Sequence, residues 1–453
     1  MTGRKLFGTD GIRGKANVYP MTGEVAMALG RAVTAYFQKK ARNKKPLIII
    51  GKDTRLSCYM LEQAFASGVC SQGGRAILTG PLPTPGVAFV TQSMRADAGV
   101  MISASHNPYS DNGIKLFDRN GEKLPDAVEL ELEKMILQPE LIVKKLDESL
   151  GSAKRLDEVI GRYVVKVKAA FNENYSLENM RLIVDGANGA GYKIAPMAFE
   201  ELGAEVVPMG NTPNGININH NVGALHPEAC AEAVLKYRSD LGICLDGDGD
   251  RLVVVDNKGR IADGDQLMGV IGHFLQKTNQ LGSANEVVGT VMSNFGLEKF
   301  FKEKNINFYR TNVGDRYVLE RMKHSGALFG GEPSGHLVFK AFSTTGDGIL
   351  AALKVIECIK YFDRDLSELL DQVELVPQKL TNVMVKKRIP FEEIPELQKM
   401  IADLENQLKN EGRLLLRYSG TENLVRIMVE AQDDAVVNSI SKTLEAAIVE
   451  YLK

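Results

Sequence analysis

A serine and a histidine stand side by side in the string Met-Ile-Ser-Ala-Ser-His-Asn-Pro-Tyr-Ser-Asp-Asn-Gly-Ile-Lys-Leu-Phe at 101–117. A strand-like run over 98–102 feeds small and turn-forming residues, and a second apolar segment follows at 114–117. Ser105, His106 and Lys115 are therefore expected on a loop held between two strands, a place for chemistry. Three readings of Ser105 compete. The plainest is a turn serine that bonds only the backbone. A hydrolase nucleophile is disfavoured, because Ser105 has Ala104 and His106 as neighbours and the glycines of a nucleophile elbow are missing around it. A phosphoryl carrier would place a charge of about −1.5 to −2 on the hydroxyl and would require cations supplied by other parts of the chain.

Residues able to meet that demand are present. Asp246, Asp248 and Asp250 alternate with glycines and precede Arg251, between apolar runs at 241–245 and 252–255, so they are expected on a strand-to-strand loop. Three carboxylates at ~4 Å repel by about 4 kcal/mol per pair at a partly buried site, a cost that a divalent cation reverses. An EF-hand loop is excluded: it needs glycine after the third aspartate and glutamate at the twelfth position, and Arg251 and Asn257 stand there. A surface turn of solvated aspartates is the remaining alternative. Mg2+ is hard, prefers oxygen and bridges phosphates, and Asp246, Asp248 and Asp250 with an oxygen of a phosphate on Ser105 would form its inner shell.

Three more polar strings read as loops when taken alone. Gly-Thr-Asp-Gly-Ile-Arg-Gly at 8–14 lacks the spacing of a P-loop or a dinucleotide fingerprint and reads as a tight connection. Gly-Glu-Pro-Ser-Gly-His at 331–336 is glycine-framed and carries a carboxylate. Arg-Tyr-Ser-Gly-Thr-Glu-Asn at 417–423 offers a guanidinium, two aliphatic hydroxyls and backbone N–H groups, which suits a phosphate as well as a hairpin turn. In order with Ser-Ala-Ser-His-Asn-Pro at 103–108 and Asp-Gly-Asp-Gly-Asp-Arg at 246–251, these strings resemble the α-D-phosphohexomutase superfamily along the whole chain, and within it the branch acting on amino-sugar phosphates.

The resemblance implies that a phosphate on Ser105 passes to a small-molecule sugar phosphate, with a hexose or hexosamine 1,6-bisphosphate as intermediate and activator. Phosphate would thereby move reversibly between the 6 and 1 positions of a hexosamine, feeding the synthesis of UDP-N-acetylglucosamine and cell-wall precursors. A phosphomannomutase or phosphoglucomutase is the sister reading, since it shares every catalytic part. A non-enzymatic sugar-phosphate sensor is disfavoured by the intact Ser105, Lys115 and aspartate triplet. The resemblance makes Lys115 the acid or base at the sugar hydroxyl, with a pKa lowered by neighbouring cations, and His106 a second candidate. Arg13 becomes a phosphate contact and Arg251 a source of charge for the transfer. Glu332, Ser334 and His336 would meet the sugar, and Arg417, Ser419, Gly420 and Thr421, assisted by Arg426, the distal phosphate. Pro333, Tyr418 and Asn423 depart from the family pattern. Two stretches, 212–219 and 312–318, carry the amino-sugar resemblance. A kinase or bisphosphate donor would first charge Ser105, and a homodimer is an allowed assembly.

At 453 residues the chain exceeds one core, and the prior of ~150 residues per domain gives about three domains, or four if some are small. A hydrophobic share of 44% and a charged share of 25% exclude disordered and fibrous classes. The net charge of −2 gives no general pull toward nucleic acid or anionic membrane, so an anionic substrate must be captured by locally placed arginines and lysines. No basic run carries interleaved aromatics, which argues against a nucleic-acid partner. Five cysteines, odd in number and without a C-x-x-C pair, suit reduced thiols. With no apolar signal core at the start and no apolar run of ~18 residues, a cytoplasmic protein without a membrane partner is expected.

The elements that must position these residues repeat. Thr22 can cap a helix over 23–39. After it, a strand over 47–51, a glycine-bearing loop, a helix to about 71 and a strand over 76–79 are followed by the same grammar at 182–207 and again at 286–309. A helix over 345–361 closes the third copy. The remainder reads as a strand over 382–386, a helix over 394–409, strands over 413–418 and 424–430, and a helix over 434–452. The expected fold is thus α/β, with three similar α/β domains built on mixed sheets, a smaller C-terminal α+β domain and an active site in the central cleft. The expected limits are 1–152 for the phosphoserine loop, 153–256 for the metal, 257–370 for the sugar and 371–453 for the distal phosphate.

Overall fold

In the computed structural model the described residues are 5–8, 10–40, 45–409, 411–419 and 423–452. Four sheets account for the strands. The first joins β1 (Ile12–Lys15), β2 (Leu47–Lys52), β3 (Arg75–Pro81), β4 (Ala98–Ile102), β5 (Asp111–Asp118) and β6 (Ser152–Arg155) in the order β1-β5-β4-β2-β3-β6. The second joins β7 (Arg181–Asp185), β8 (Glu205–Met209), β9 (Leu241–Leu245), β10 (Leu252–Val255) and β11 (Ile261–Ala262) as β11-β10-β9-β7-β8. The third contains β12 (Glu286–Thr290), β13 (Asn307–Thr311), β14 (Phe329–Gly331) and β15 (Leu337–Phe339) as β13-β12-β14-β15.

One motif runs through all three. A central strand (β2, β7 or β12) pairs in parallel with the two strands that follow it, and the last of these turns back into an antiparallel return strand (β5, β10 or β15). The central strands are apolar runs buried along nearly their whole length, as parallel strands covered on both faces must be. A continuous core that includes Ile49, Val87, Tyr163, Leu182, Leu245, Ile271, Phe301 and Leu353 passes through the three units without a break.

The C-terminal sheet joins β16 (Gln378–Met384), β17 (Gly412–Tyr418) and β18 (Leu424–Ala431) in the order β16-β18-β17, all antiparallel. Its core, with Leu397, Val425, Ile427, Leu444 and Ile448, is separate from the large one. Among the described residues no helix is long and apolar enough to cross a membrane.

Several expected elements shift, each for a local reason. Thr22 does cap the helix Gly23–Lys40, its Oγ1 accepting from Val25 N–H at 3.4 Å. β16 starts at Gln378, ahead of the expected 382, because it pairs with β18 from Gln378↔Glu430 to Met384↔Leu424. The helix closing the third unit begins at Gly348, with Asp347 capping Leu350 N–H at 3.0 Å. Gly346 lies ahead of it and gives its N–H to His336 Nε2. Lys115 lies in the middle of β5 rather than on the loop, paired with Met101 of β4. Hydrogen bonding also carries the first sheet past the expected limit at 152, through β6 on β3, and the second past 256, through β11 on β10.

Candidate active site

The same connection recurs in each repeat, between the third strand and its antiparallel return, and all three connections meet. Residues 103–110 follow β4, 246–251 follow β9 and 332–336 follow β14. They bring Ser105 and His106, the three aspartates with Arg251, and Glu332 to His336 to one place.

Ser105 is buried with a left-handed φ of 53°, so its peptide must be held against strain. Its N–H donates to Ser103 Oγ at 2.9 Å. Its Oγ donates to Asp246 Oδ2 at 2.6 Å, which places the hydroxyl of one repeat on the carboxylate of the next. His106 Nδ1 lies 3.4 Å from the same Oγ. Burial, together with Arg251 and Arg13, lowers the His106 pKa to about 4, so the imidazole is neutral near pH 7.

Asp246, Asp248 and Asp250 are all buried, and among the described residues they are the one group of three ligand-type side chains whose donor atoms lie within 4.8 Å of one another. Burial, then Asp250 and Asp248, push the Asp246 carboxyl well above its usual range. Asp248 Oδ2 accepts from Thr84 Oγ1 at 2.6 Å and from Lys115 Nζ at 2.9 Å. Asp248 Oδ1 and Asp250 Oδ1 are buried with no hydrogen-bond donor. Two unpartnered carboxylate oxygens beside the Ser105 hydroxyl are what a hard divalent cation takes up, so the donor set fits Mg2+.

A closed circuit of charges joins the three units. Lys115 lies 3.5 Å from Asp10 and 3.6 Å from Asp250. Asp10 also pairs with Arg13 and with Lys123, both at 2.5 Å, and Lys123 reaches Asp315 of the third unit at 2.6 Å. His336 completes the arrangement by position, with Nδ1 3.6 Å from Asp250 and Nε2, which accepts from Gly346 N–H, 3.5 Å from Asp315. Burial pulls the Lys115 ammonium down, but Asp10, Asp248 and Asp250 outweigh it and hold the group above the usual lysine range. The expected lowering by neighbouring cations is therefore reversed, because more carboxylates than guanidinium groups face it. Burial opposes ionisation of Asp10 as well, yet Lys115, Lys123 and Arg13 bring it below the carboxylate range.

The other expected residues divide. Arg251 is half-buried, 3.9 Å from Asp250, and its N–H donates to Asp246 Oδ1. Glu332 Oε1 accepts from Gly314 N–H at 2.9 Å, which ties the 332–336 loop to the 312–318 stretch, and Ser334 is exposed. Arg417 and Arg426 face each other across β17 and β18, and burial and that neighbour lower the Arg417 pKa. Ser419 is buried beside them, whereas Gly420 and Thr421 lie outside the described residues. The C-terminal sheet carries no member of the Ser105 cluster. Reasoning from sequence missed Asp10, Lys123, Asp315 and Thr84. Asp10 and Asp315 lie inside strings singled out as motifs, so a signal was present; Lys123 and Thr84 join the site only through folding.

Family models described as phosphoglucomutase/phosphomannomutase match all along the chain: α/β/α domain I at 4–142, domain II at 161–259, domain III at 263–376 and the C-terminal domain at 380–447. A phosphoglucosamine mutase of Lawsonia intracellularis is 50% identical, covering 99% of both chains. One of Anaeromyxobacter sp. is also 50% identical, over 97% of this chain and 96% of its own. Among solved structures, a phosphoglucomutase/phosphomannomutase family protein of Burkholderia thailandensis superposes with a TM-score of 0.81 at 24% identity, covering 98% of this chain and 97% of the other. The N-acetylphosphoglucosamine mutase of Aspergillus fumigatus, in complex with GlcNAc-6P and magnesium, gives 0.69 at 19% identity, with 99% and 96% covered. With four matched domains in order and half of its residues shared with full-length relatives, the chain belongs to the phosphoglucomutase/phosphomannomutase family.

Proposed function

We propose that the chain is a mutase that interconverts glucosamine 6-phosphate and glucosamine 1-phosphate through a phosphate on Ser105 and a bisphosphate intermediate. The observation that carries this reading is the buried Ser105 Oγ on Asp246 Oδ2 at 2.6 Å, with the unpartnered oxygens of Asp248 and Asp250 beside it. The amino sugar is supported by the relatives at 50% identity, which are phosphoglucosamine mutases. Such an isomerase would feed UDP-N-acetylglucosamine and cell-wall precursors in the cytoplasm.

The phosphoryl group leaves Ser105 Oγ for the free sugar hydroxyl: one P–O bond breaks, one forms, and a proton passes from the sugar hydroxyl to the serine. Lys115 relays it, giving its proton to the departing Oγ and taking that of the sugar. His106, neutral and within 3.4 Å, orients the Ser105 hydroxyl. Asp246, Asp248 and Asp250 with the serine phosphate would hold Mg2+, which supplies positive charge to the group in transfer. Arg251 and Arg13 add to that charge. Glu332, Ser334 and His336 meet the sugar, and Arg417 with Ser419, Gly420, Thr421 and Arg426 the distal phosphate. The phosphoserine unit runs through β6, the metal unit through β11, the sugar unit to 376 and the distal-phosphate unit beyond. A kinase or a bisphosphate donor would charge Ser105, and the homodimer belongs to the same proposal.

Intact-mass measurement combined with steady-state kinetics tests the reading. The protein should carry one phosphate that Ser105→Ala lacks, and catalytic efficiency should be higher on glucosamine 6-phosphate than on glucose or mannose 6-phosphate. Turnover retained by Ser105→Ala would remove the phosphoserine; a higher efficiency on glucose or mannose phosphate would remove the amino sugar alone.

A further inference from the structure

The loop around Ser105 is held by two sets of donors that come from different units. Asp53 and Arg55, on the connection after β2, make the first set, and both are fully buried. Ser103 Oγ donates to Asp53 Oδ2 at 2.5 Å, and Arg55 Nε to the same oxygen at 2.8 Å. The Arg55 guanidinium then reaches the carbonyls of Ser105 at 2.8 Å, Asn107 at 2.9 Å and Pro108 at 2.5 Å. These bonds stay within the first unit and fix the shape of the loop.

The second set is one side chain, Asn219. Its Nδ2 donates to Ser105 O at 2.9 Å and to Asn107 O at 3.0 Å. Asn219 belongs to the second unit and is anchored to the frame of the aspartates. Its own N–H donates to Ala187 O at 2.9 Å, Ala190 N–H to Gly247 O at 2.8 Å, and Ala224 N–H to Leu245 O at 2.9 Å. Gly247 leaves the room for this: a Cβ there would stand 2.6 Å from Ser105 O and 2.9 Å from Asn219 Nδ2. Asn219 itself has a φ of 57°, a left-handed conformation that asparagine tolerates better than most residues.

We propose that Asn219 is a positioning residue, whose amide locks the Ser105 loop of the first unit in register with the aspartate loop of the second. The inference rests on the phosphoserine reading. Ser105 gives up and regains a phosphoryl group in each turnover and must meet Asp246 at the same place both times. Arg55 keeps the loop rigid; among the described residues, Asn219 is the side chain of the second unit that holds the loop by its backbone carbonyls, beside the bond from Ser105 Oγ to Asp246. The stretch 212–219, which by resemblance pointed to the sugar, thus acts on the nucleophile.

Two variants test this. Asn219→Gly keeps the left-handed backbone and deletes the amide; Asn219→Asp keeps the shape and turns acceptors toward the two carbonyls. A displacement of about 1 Å at a reacting group costs on the order of 10²-fold, so kcat should fall roughly tenfold to a hundredfold in both. KM should stay within about twofold and the melting temperature close to wild type, with phosphate loading matched by intact mass. A kcat near wild type in either variant overturns the proposal. So does a loss in which KM rises in step and the protein melts earlier, since that is general packing. Absence of turnover in the wild type would instead overturn the phosphoserine reading.

Discussion

Lys115 shows what burial does to a residue that the chain order leaves ambiguous. It is 3% exposed in mid-strand, surrounded by Asp10, Asp248 and Asp250, and those carboxylates come from two units. The sequence displays the lysine near Ser105 but not the count of charges that face it, and that count sets the sign of its shift. The aspartates were legible because their spacing and apolar flanks survive in any fold; Thr84, which takes one oxygen of Asp248, has no such signature. Asp246 is raised by burial and by its two neighbours, so the cluster is electrostatically unfavourable without a cation. Mg2+ alone should therefore raise the melting temperature, by about 2.7 kcal/mol of stabilisation at a hundred times its dissociation constant. Asp246→Asn should lose that increment. A wild-type melt indifferent to Mg2+ would remove the metal from this site.

At the scale of elements, the repeat grammar located the strands and helices, whereas the equivalence of the three site loops appears only in the pairing. Ile102↔Ile114, Leu245↔Leu252 and Gly331↔Leu337 close the three connections at matching points of their sheets. Periodicity could not see this because β14 and β15 are short and two of the loops are glycine-rich. The start of the helix Gly348–Phe362 was also hidden, since its cap is a buried aspartate bonded to a distant tyrosine. Asp347 accepts from Leu350 N–H and, at 2.7 Å, from Tyr163 OH. Burial raises its pKa from 3.8 to about 6, against the pull of those bonds. A folded value above the unfolded one means that this group's stability is present below pH 4 and lost as the pH rises through about 6. Asp347→Asn, which keeps an oxygen for the cap, should thus gain on wild type between pH 4 and 7, by on the order of 3 kcal/mol. A stability difference that does not change with pH would contradict the assignment.

At the scale of the whole molecule, three units are packed on one core and a smaller unit is attached to them. The three-unit core is continuous, and the C-terminal core is separate. Polar contacts make much of the join: Arg413 donates to Val291 O at 2.9 Å and Ser293 O at 2.7 Å and pairs with the buried Glu430, while the Asn294 amide bonds both N–H and C=O of Val376. On the proposed function, such a join would suit a unit that carries Arg417 to a bound phosphate. Calorimetry should resolve two transitions, and Arg413→Ala should lower only the smaller, because it strands a buried carboxylate. A single transition that moves as a whole would show the cores to be one cooperative unit.

The sequence by itself determined the repeated units, the separate C-terminal unit, the family and the loops that carry Ser105 and the aspartates. Those features rest on local pattern: apolar runs, glycine-bearing turns and residue types at short spacing. Only the tertiary structure decided which loops meet, that Asp10, Lys123, Asp315 and His336 close a circuit around Lys115, and that Asn219 holds the serine loop. Most of these contacts join residues far apart in the chain, more than a hundred positions from Asn219 to Ser105, and no short-range pattern encodes them. They arise because three copies of one sheet share a core that turns the same connection of each toward a common centre.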